Sequence, residues 1–135
     1  SLTGSAHSRE LSNTIADQVS AQLTAITPQP PYVGGYELKT VPAMTNSLGT
    51  MSFGVLAEAI NGCTTRYLHD TGRRNVLVEG LNLTTFRPIQ LESVVTVLLR
   101  ELEMTRHDAT LDVDVLSDGV QVAKAIVTCQ LLERN

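Results

Sequence analysis

The sequence contains no tryptophan, and its aromatic residues are three Tyr and two Phe. A core built from this chain has therefore to be aliphatic, made of Val, Leu, Ile, Ala and Met. Basic residues are also few: 10 Lys and Arg stand against 14 Asp and Glu, for a net charge of −4. No basic stripe of the kind a nucleic-acid reader carries is visible. No apolar run approaches the roughly 20 residues needed to span a bilayer, and no signal-peptide pattern opens the chain. These absences predict a cytoplasmic domain that contacts neither membrane nor nucleic acid directly. Cysteine is scarce as well. Cys63 and Cys129 form no metal-type spacing and no disulfide framework, and are expected as free buried thiols in a reducing compartment. His7, His69 and His107 are scattered over separate segments. No Ser or Cys sits at a nucleophile elbow beside them, so neither a catalytic triad nor a metal site is supported.

What is present is enough for one globular domain. A chain of 135 residues, 42% hydrophobic, matches the usual single-domain length and can bury a core without a metal or disulfide. Ser1 to Ser5 lack an initiator Met and read as a cloning remnant or linker. Residues 1–7 are set apart on that basis, and 8–135 are expected to be a single domain of a longer protein.

Two amphipathic helices are legible. From Ser8, a plausible N-cap, to Thr27, the residues Leu11, Ile15, Val19, Leu23 and Ile26 form one apolar stripe. Pro28, Pro30 and Pro31 forbid its continuation, and Gly34-Gly35 permits a change of direction. A short strand is predicted from Tyr36 to Val41. A polar, glycine-containing turn, Asn46 to Gly54, then leads into a second helix over Ser52 to Leu68. Its apolar stripe is Val55, Leu56, Ala59, Ile60, Cys63 and Tyr67. Gly54, Ala57, Ala59 and Gly62 keep it thin, which predicts close packing against it, because Gly in a helix otherwise costs about 1 kcal/mol relative to Ala. Gly72 is its natural stop.

After Gly72 the period changes to that of strands. Val76 to Val78 and Leu81 to Leu83 alternate out of phase, which predicts a bulge at Glu79-Gly80. Further strands are read at Ser93 to Met104, at Leu111 to Val115 with Asp112 and Asp114 between the apolar positions, and at Val120 to Leu132. Ser117-Asp118-Gly119 signals a hairpin between the last two. The second helix spans roughly 25 Å and the longest strands roughly 40 Å. Antiparallel strands of that length should twist and curl around the helix they cover. The predicted class is α+β, a curved antiparallel sheet wrapped around a central helix with an additional N-terminal helix.

The turn from Asn46 to Gly54, the small-residue helix, and the strand Leu81 to Phe86 with Arg87-Pro88-Ile89 resemble the hot-dog fold thioesterase superfamily. Its helix usually opens with Gly-Thr-x-His-Gly-Gly, and a later strand ends in Phe-x-Arg-Pro-Val or similar. Met44 to Gly49, Leu77 to Leu81, Phe86 to Ser93 and Val122 to Ala125 more closely resemble the C-terminal hot-dog domain of bacterial multidomain proteins that carry CBS-domain pairs and a DRTGG domain. The resemblance implies five strands around the helix. It also implies a homodimer, or a dimer of such dimers, joined along the strand that follows the helix, here Val76 to Arg87. It further implies an acyl-CoA or acyl carrier thioester held at the dimer interface, and no other cofactor.

The resemblance also assigns roles. Many relatives place an Asp or Glu on the helix, nine residues after the His, where it attacks the thioester or activates water. The matching positions here are Ser52 and Asn61, and both depart from the pattern. An amide is no general base, although it can hold a water or ligand by hydrogen bonds. Glu58, almost one turn earlier, is the other candidate for the acid. The alternative for Asn61 is a polar residue hydrogen-bonded at the dimer interface, and for Glu58, more in keeping with its type, a solvated or interface-paired carboxylate. The backbone amide of Phe53 matches the one that polarises the thioester carbonyl, with Asn46, Gly49, Ser52 and Gly54 around it. The Phe53 ring narrows or covers the pocket, or closes the helix end as a core residue. Arg73, Arg74 and Arg87 suit the phosphates of coenzyme A or are solvated surface charges. The expected function is acyl-CoA-like ligand binding in a regulatory or sensory module. The alternatives are thioester hydrolysis and a ligand-free dimerisation module whose pocket is closed by Phe53 and Met51.

Overall fold

The computed structural model describes residues 17–134. In chain order these residues form α1 (residues 17–22), β1 (Thr24–Ala25), β2 (Gly34–Lys39), a short 3-10 turn (Pro42–Met44), α2 (Phe53–Asp70), β3 (Arg73–Thr85), β4 (Val94–Met104), β5 (Asp108–Ser117) and β6 (Val120–Arg134). Ser8, Leu11 and Ile15, assigned above to the first helix, lie outside the described residues. Val19 and Leu23 of the same stripe are buried.

α2 is set by its ends and its stripe. The Ser52 Oγ accepts a hydrogen bond from the Val55 N–H, so one of the free donors of the first turn is satisfied by the cap. At the other end Gly72, with φ of +100°, donates its N–H to the His69 carbonyl, a backbone state that only glycine adopts without strain. Between them Val55, Leu56, Ala59, Ile60, Cys63, Thr64, Tyr67 and Leu68 are buried.

All the strands pair antiparallel into one sheet of order β1-β2-β4-β5-β6-β3. Val95, Val97 and Leu99 of β4, Leu111, Val113 and Val115 of β5, and Ala123, Ala125, Val127 and Cys129 of β6 are buried in a single cluster with the apolar face of α2. The period-2 alternation read from the sequence is therefore the alternation between the helix-facing and outer faces of the sheet. On the outer face Asp112 is buried between Arg100, which it pairs with, and Lys124 at 3.9 Å. The β5–β6 hairpin turns at Asp118 (φ +48°) and Gly119 (φ +85°), a left-handed pair of the type two-residue hairpins need.

The expected helix-wrapped α+β class is what forms, with two departures. The first helix ends at residue 22 and not at Thr27, because Thr24 and Ala25 pair with Glu37 and Tyr36. That short pairing adds a sixth strand to the expected five. The anticipated bulge is present: the β3–β6 register shifts between Val78 and Gly80. The extra residue, Glu79, lets Val76 and Val78 share a face with Leu81 and Leu83.

The topology gathers three connections at the amino end of α2: residues 40–52, residues 86–93, and the β5–β6 turn. β3 begins at the opposite end, directly after α2, and lies at the edge of the sheet.

Candidate functional site

The loop before α2 is a closed unit. Asn46 Oδ1 accepts from the N–H of Leu48 at 2.9 Å, the N–H of Thr50 at 3.3 Å and the Thr50 hydroxyl at 3.1 Å. Gly49 sits at φ +75° and donates to the Asn46 carbonyl. The oxygen of Asn46 is thus used within the turn. Asn46 and Gly49 shape the approach to the helix and do not line the cleft beside it.

That cleft has a volume of ≈ 360 Å³. One wall is Thr50, Met51, Ser52, Phe53 and Leu56, and the other is residues 85–89. Backbone bonds hold the walls together: Met51 N–H donates to the Ile89 carbonyl at 2.8 Å, and Thr50 bridges Gln90. Val55 donates to Ser52 Oγ and Leu56 to the Ser52 carbonyl. No hydrogen bond within the described residues takes up the N–H groups of Phe53 and Gly54. Free amides at a helix start favour an oxygen with partial negative charge. Phe53 is 60% exposed and Phe86 53%, so Phe53 does not close the helix end as a core aromatic, whereas Met51 is buried. The lining holds no carboxylate, imidazole or thiol, and its one ionisable side chain is Arg87.

A second cleft, of ≈ 450 Å³, runs along the other side of α2. Ser20 and Leu23 face Glu58, Asn61, Gly62, Thr65, Arg66, His69 and Asp70 across it. Asn61 Oδ1 is buried there without a hydrogen-bond partner. Arg66 donates to the Leu23 carbonyl at 3.1 Å and lies 5.5 Å over the Tyr36 ring, which fixes the end of α1 against α2. Leu23 Cδ1 would lie 3.5 Å from a methyl added at Gly62, whereas a methyl at Gly54 would meet nothing. Within one chain the thin helix is therefore closely packed at Gly62 and open at Gly54.

Within one chain the predicted site residues separate into three places. Ser52, Phe53, Gly54 and Arg87 gather at the first cleft or its helix start, while Glu58 and Asn61 line the second. Arg73 and Arg74 lie at the far end of α2, about 27 Å of helix away. Arg73 Nη1 donates to the carbonyl and hydroxyl of Thr71, so it caps the helix end. His7 lies outside the described residues, and no group of three potential metal ligands, with or without His69 and His107, occurs among the described residues. Phe86, named above only within the resemblance and not as a site residue, also lines the first cleft. Its exposure is visible only once both walls are placed.

Burial is the main cause of the shifts at both cysteines and at Tyr36. It pushes the Cys63 thiol up to about 12, against a smaller lowering by Arg66, and the Cys129 thiol up to about 11. Burial also raises Tyr36 to about 12. Both cysteines are free and buried, so neither is a nucleophile at neutral pH.

No family model matches the chain. A Bacillus subtilis protein, YtoI, described as uncharacterized, is 37% identical over 100 residues. The match spans 74% of this chain and 23% of that protein, so this chain is similar to about a quarter of its curated relative. Among solved structures, a hypothetical thioesterase from Streptococcus pneumoniae TIGR4 with coenzyme A has a TM-score of 0.78 at 16% identity, covering 92% of this chain and 96% of that one. The smu.793 protein of Streptococcus mutans UA159, bound to acetyl CoA, has a TM-score of 0.75 at 15% identity, covering 84% and 90%. A putative thioesterase related to phenylacetic acid degradation, from Ralstonia eutropha JMP134, has a TM-score of 0.74 at 19% identity, covering 87% and 89%. At these identities the likeness establishes the fold: the chain is a hot-dog domain.

Proposed function

We propose that this hot-dog domain binds an acyl-CoA-like thioester without hydrolysing it, at the interface of a homodimer, as a regulatory or sensory module of a larger cytoplasmic protein. One observation carries the reading: the cleft at the start of α2 offers free amides and Arg87 but no general base. The Phe53 and Gly54 N–H groups are suited to the thioester carbonyl, and the Arg87 guanidinium to a phosphate. Structural neighbours with coenzyme A and acetyl CoA bound support the ligand class. The match to a quarter of a longer relative supports the role as a module. CBS and DRTGG domains elsewhere in such a protein belong to the same proposal.

A second reading is thioester hydrolysis in the dimer. It is favoured by the unpartnered Oδ1 of Asn61 beside Glu58, which together could position water against a thioester presented by the second subunit.

Purified protein is assayed against acyl-CoA esters of several chain lengths for turnover and thermal stabilisation. The expected result is a melting temperature that rises with ligand concentration and no hydrolysis above buffer background. Turnover well above background moves the assignment to the second reading. An intact dimer with neither signal leaves a dimerisation module.

A further inference from the structure

We propose that Phe53 and Phe86 form a clamp for a flat aromatic ring, with Arg87 neutralising an anionic group attached to that ring. The inference rests on the acyl-CoA reading for its cleft: an aryl ring there leaves the thioester at the Phe53 and Gly54 amides, whereas a purine there moves the thioester out of this cleft.

These are the only two phenylalanines in the chain. In a protein so poor in aromatics both would be expected in the core, as Tyr36 and Tyr67 are. Instead both are more than half exposed, and both line the same cleft from opposite walls. Their backbones are fixed. Phe53 is the first residue of α2, directly after the Ser52 cap. The N–H groups of Phe86 and Arg87 both donate to the Val122 carbonyl, at 2.7 and 3.2 Å. The two rings are therefore presented by rigid elements, so little ordering remains to oppose binding. Aromatic faces attract other aromatic rings beyond simple area burial, through offset or edge-to-face contact. Arg87, next in sequence to one ring, has no ion pair and no side-chain hydrogen bond among the described residues. A guanidinium left free beside two exposed rings in this cleft selects a carboxylate or phosphate attached to a bound ring.

Two sources offer a ring with a nearby anion: the purine nucleotide end of a coenzyme, and an aryl carboxylic acid. An NMR titration of the whole protein, following the amides of residues 53, 54, 86 and 87, separates them. The probes are adenosine 5′-monophosphate against ribose 5-phosphate, and benzoate against cyclohexanecarboxylate. In each pair the anion is kept and the flat ring removed. The expected result is that at least one ring probe binds about fivefold or more tightly than its counterpart. The pair showing the preference identifies the source. Phe53→Leu and Phe86→Leu should each reduce that preference to within about twofold, and Arg87→Gln should weaken both members of the pair. Equal binding within both pairs overturns the clamp, as does a preference that survives both Leu variants. A dimer that dissociates in the Leu variants while the ring preference persists also overturns it, because the rings then serve the interface. Hexanoyl-CoA serves as the control: binding of it without any ring preference removes the clamp alone. A ring preference without hexanoyl-CoA binding removes the acyl-CoA reading alone.

Discussion

Asn61 is the residue on which binding and hydrolysis diverge. Its side-chain oxygen is buried without a donor in the single chain, and an amide accepts no proton at neutral pH. Asn61→Asp would place a carboxylate at that position, and a positioned general base contributes about 10²- to 10⁴-fold. The variant is expected to hydrolyse acyl-CoA at least about tenfold above wild type, read by thiol release. Unchanged background in a variant that still binds acyl-CoA would show that Asn61 does not face the thioester. The cysteines make a separate prediction about pH. Burial raises Cys63 from an ordinary value near 9 to about 12 and Cys129 to about 11. The folded state thus holds protons that the unfolded chain releases. Their contribution to stability is complete below pH about 9 and declines as pH rises toward the folded values, by up to about 1.4 kcal/mol per pH unit for one group. Thermal melts should show the loss beginning above pH 9, and Cys63→Ala should flatten it. A Cys63→Ala protein with the wild-type alkaline slope would assign the loss to Cys129 and the buried tyrosines instead.

At the scale of elements, β3 depends on its bulge. Gly80 opposes Thr128 in β6, and a methyl added at Gly80 would come within 2.8 Å of Thr128 Oγ1. Threonine is stiff at χ1, so it cannot easily yield. Gly80→Ala is expected to destabilise the fold by about 1–3 kcal/mol, measured by urea unfolding. Adding Thr128→Ala should recover part of the loss, and strictly additive effects would show that the close approach is not the cause. This bulge was legible in the sequence because it breaks a simple alternation between Val78 and Leu81. The bounds of α2 were legible for a similar reason, since Ser52 and Gly72 act locally. β1 was not: two residues carry no period, and they exist as a strand only because Tyr36 and Glu37 pair with them. The division of the site was half legible. Residues 53 and 61 are eight apart, which on an α-helix is about 12 Å of rise and a turn of about 80°. That spacing already excludes a single local pocket within one chain, but the clefts on either side take their walls from residues 20–23 and 85–89. Only the tertiary fold supplies those.

For the whole molecule, the two sheet edges are unequal. On one side β2 is partly covered by the two-residue β1, whereas on the other the thirteen residues of β3 pair only with β6. β3 carries a bulge at Glu79, but on either side of it residues 75–78 and 80–85 hold neither charge nor proline, and such runs at an edge are templates for another strand. A second copy adding its own β3 would continue the sheet across a two-fold axis. Sedimentation equilibrium is expected to give twice the chain mass, and the melting temperature should rise with protein concentration. Leu77 of β3 and Leu102 of β4 allow a matched test, since they are 49% and 50% exposed. Replacing either by Lys costs the isolated chain a similar, small amount, yet only Leu77 lies on the free edge. Leu77→Lys should raise the dimer dissociation constant about tenfold, equivalent to about 1.4 kcal/mol, while Leu102→Lys should leave it unchanged. If both variants behave alike, or the wild type sediments as a single chain at every concentration, the β3 edge is not the interface. A site shared between subunits would then have to be sought at the second cleft, where the unpartnered oxygen of Asn61 still calls for a donor.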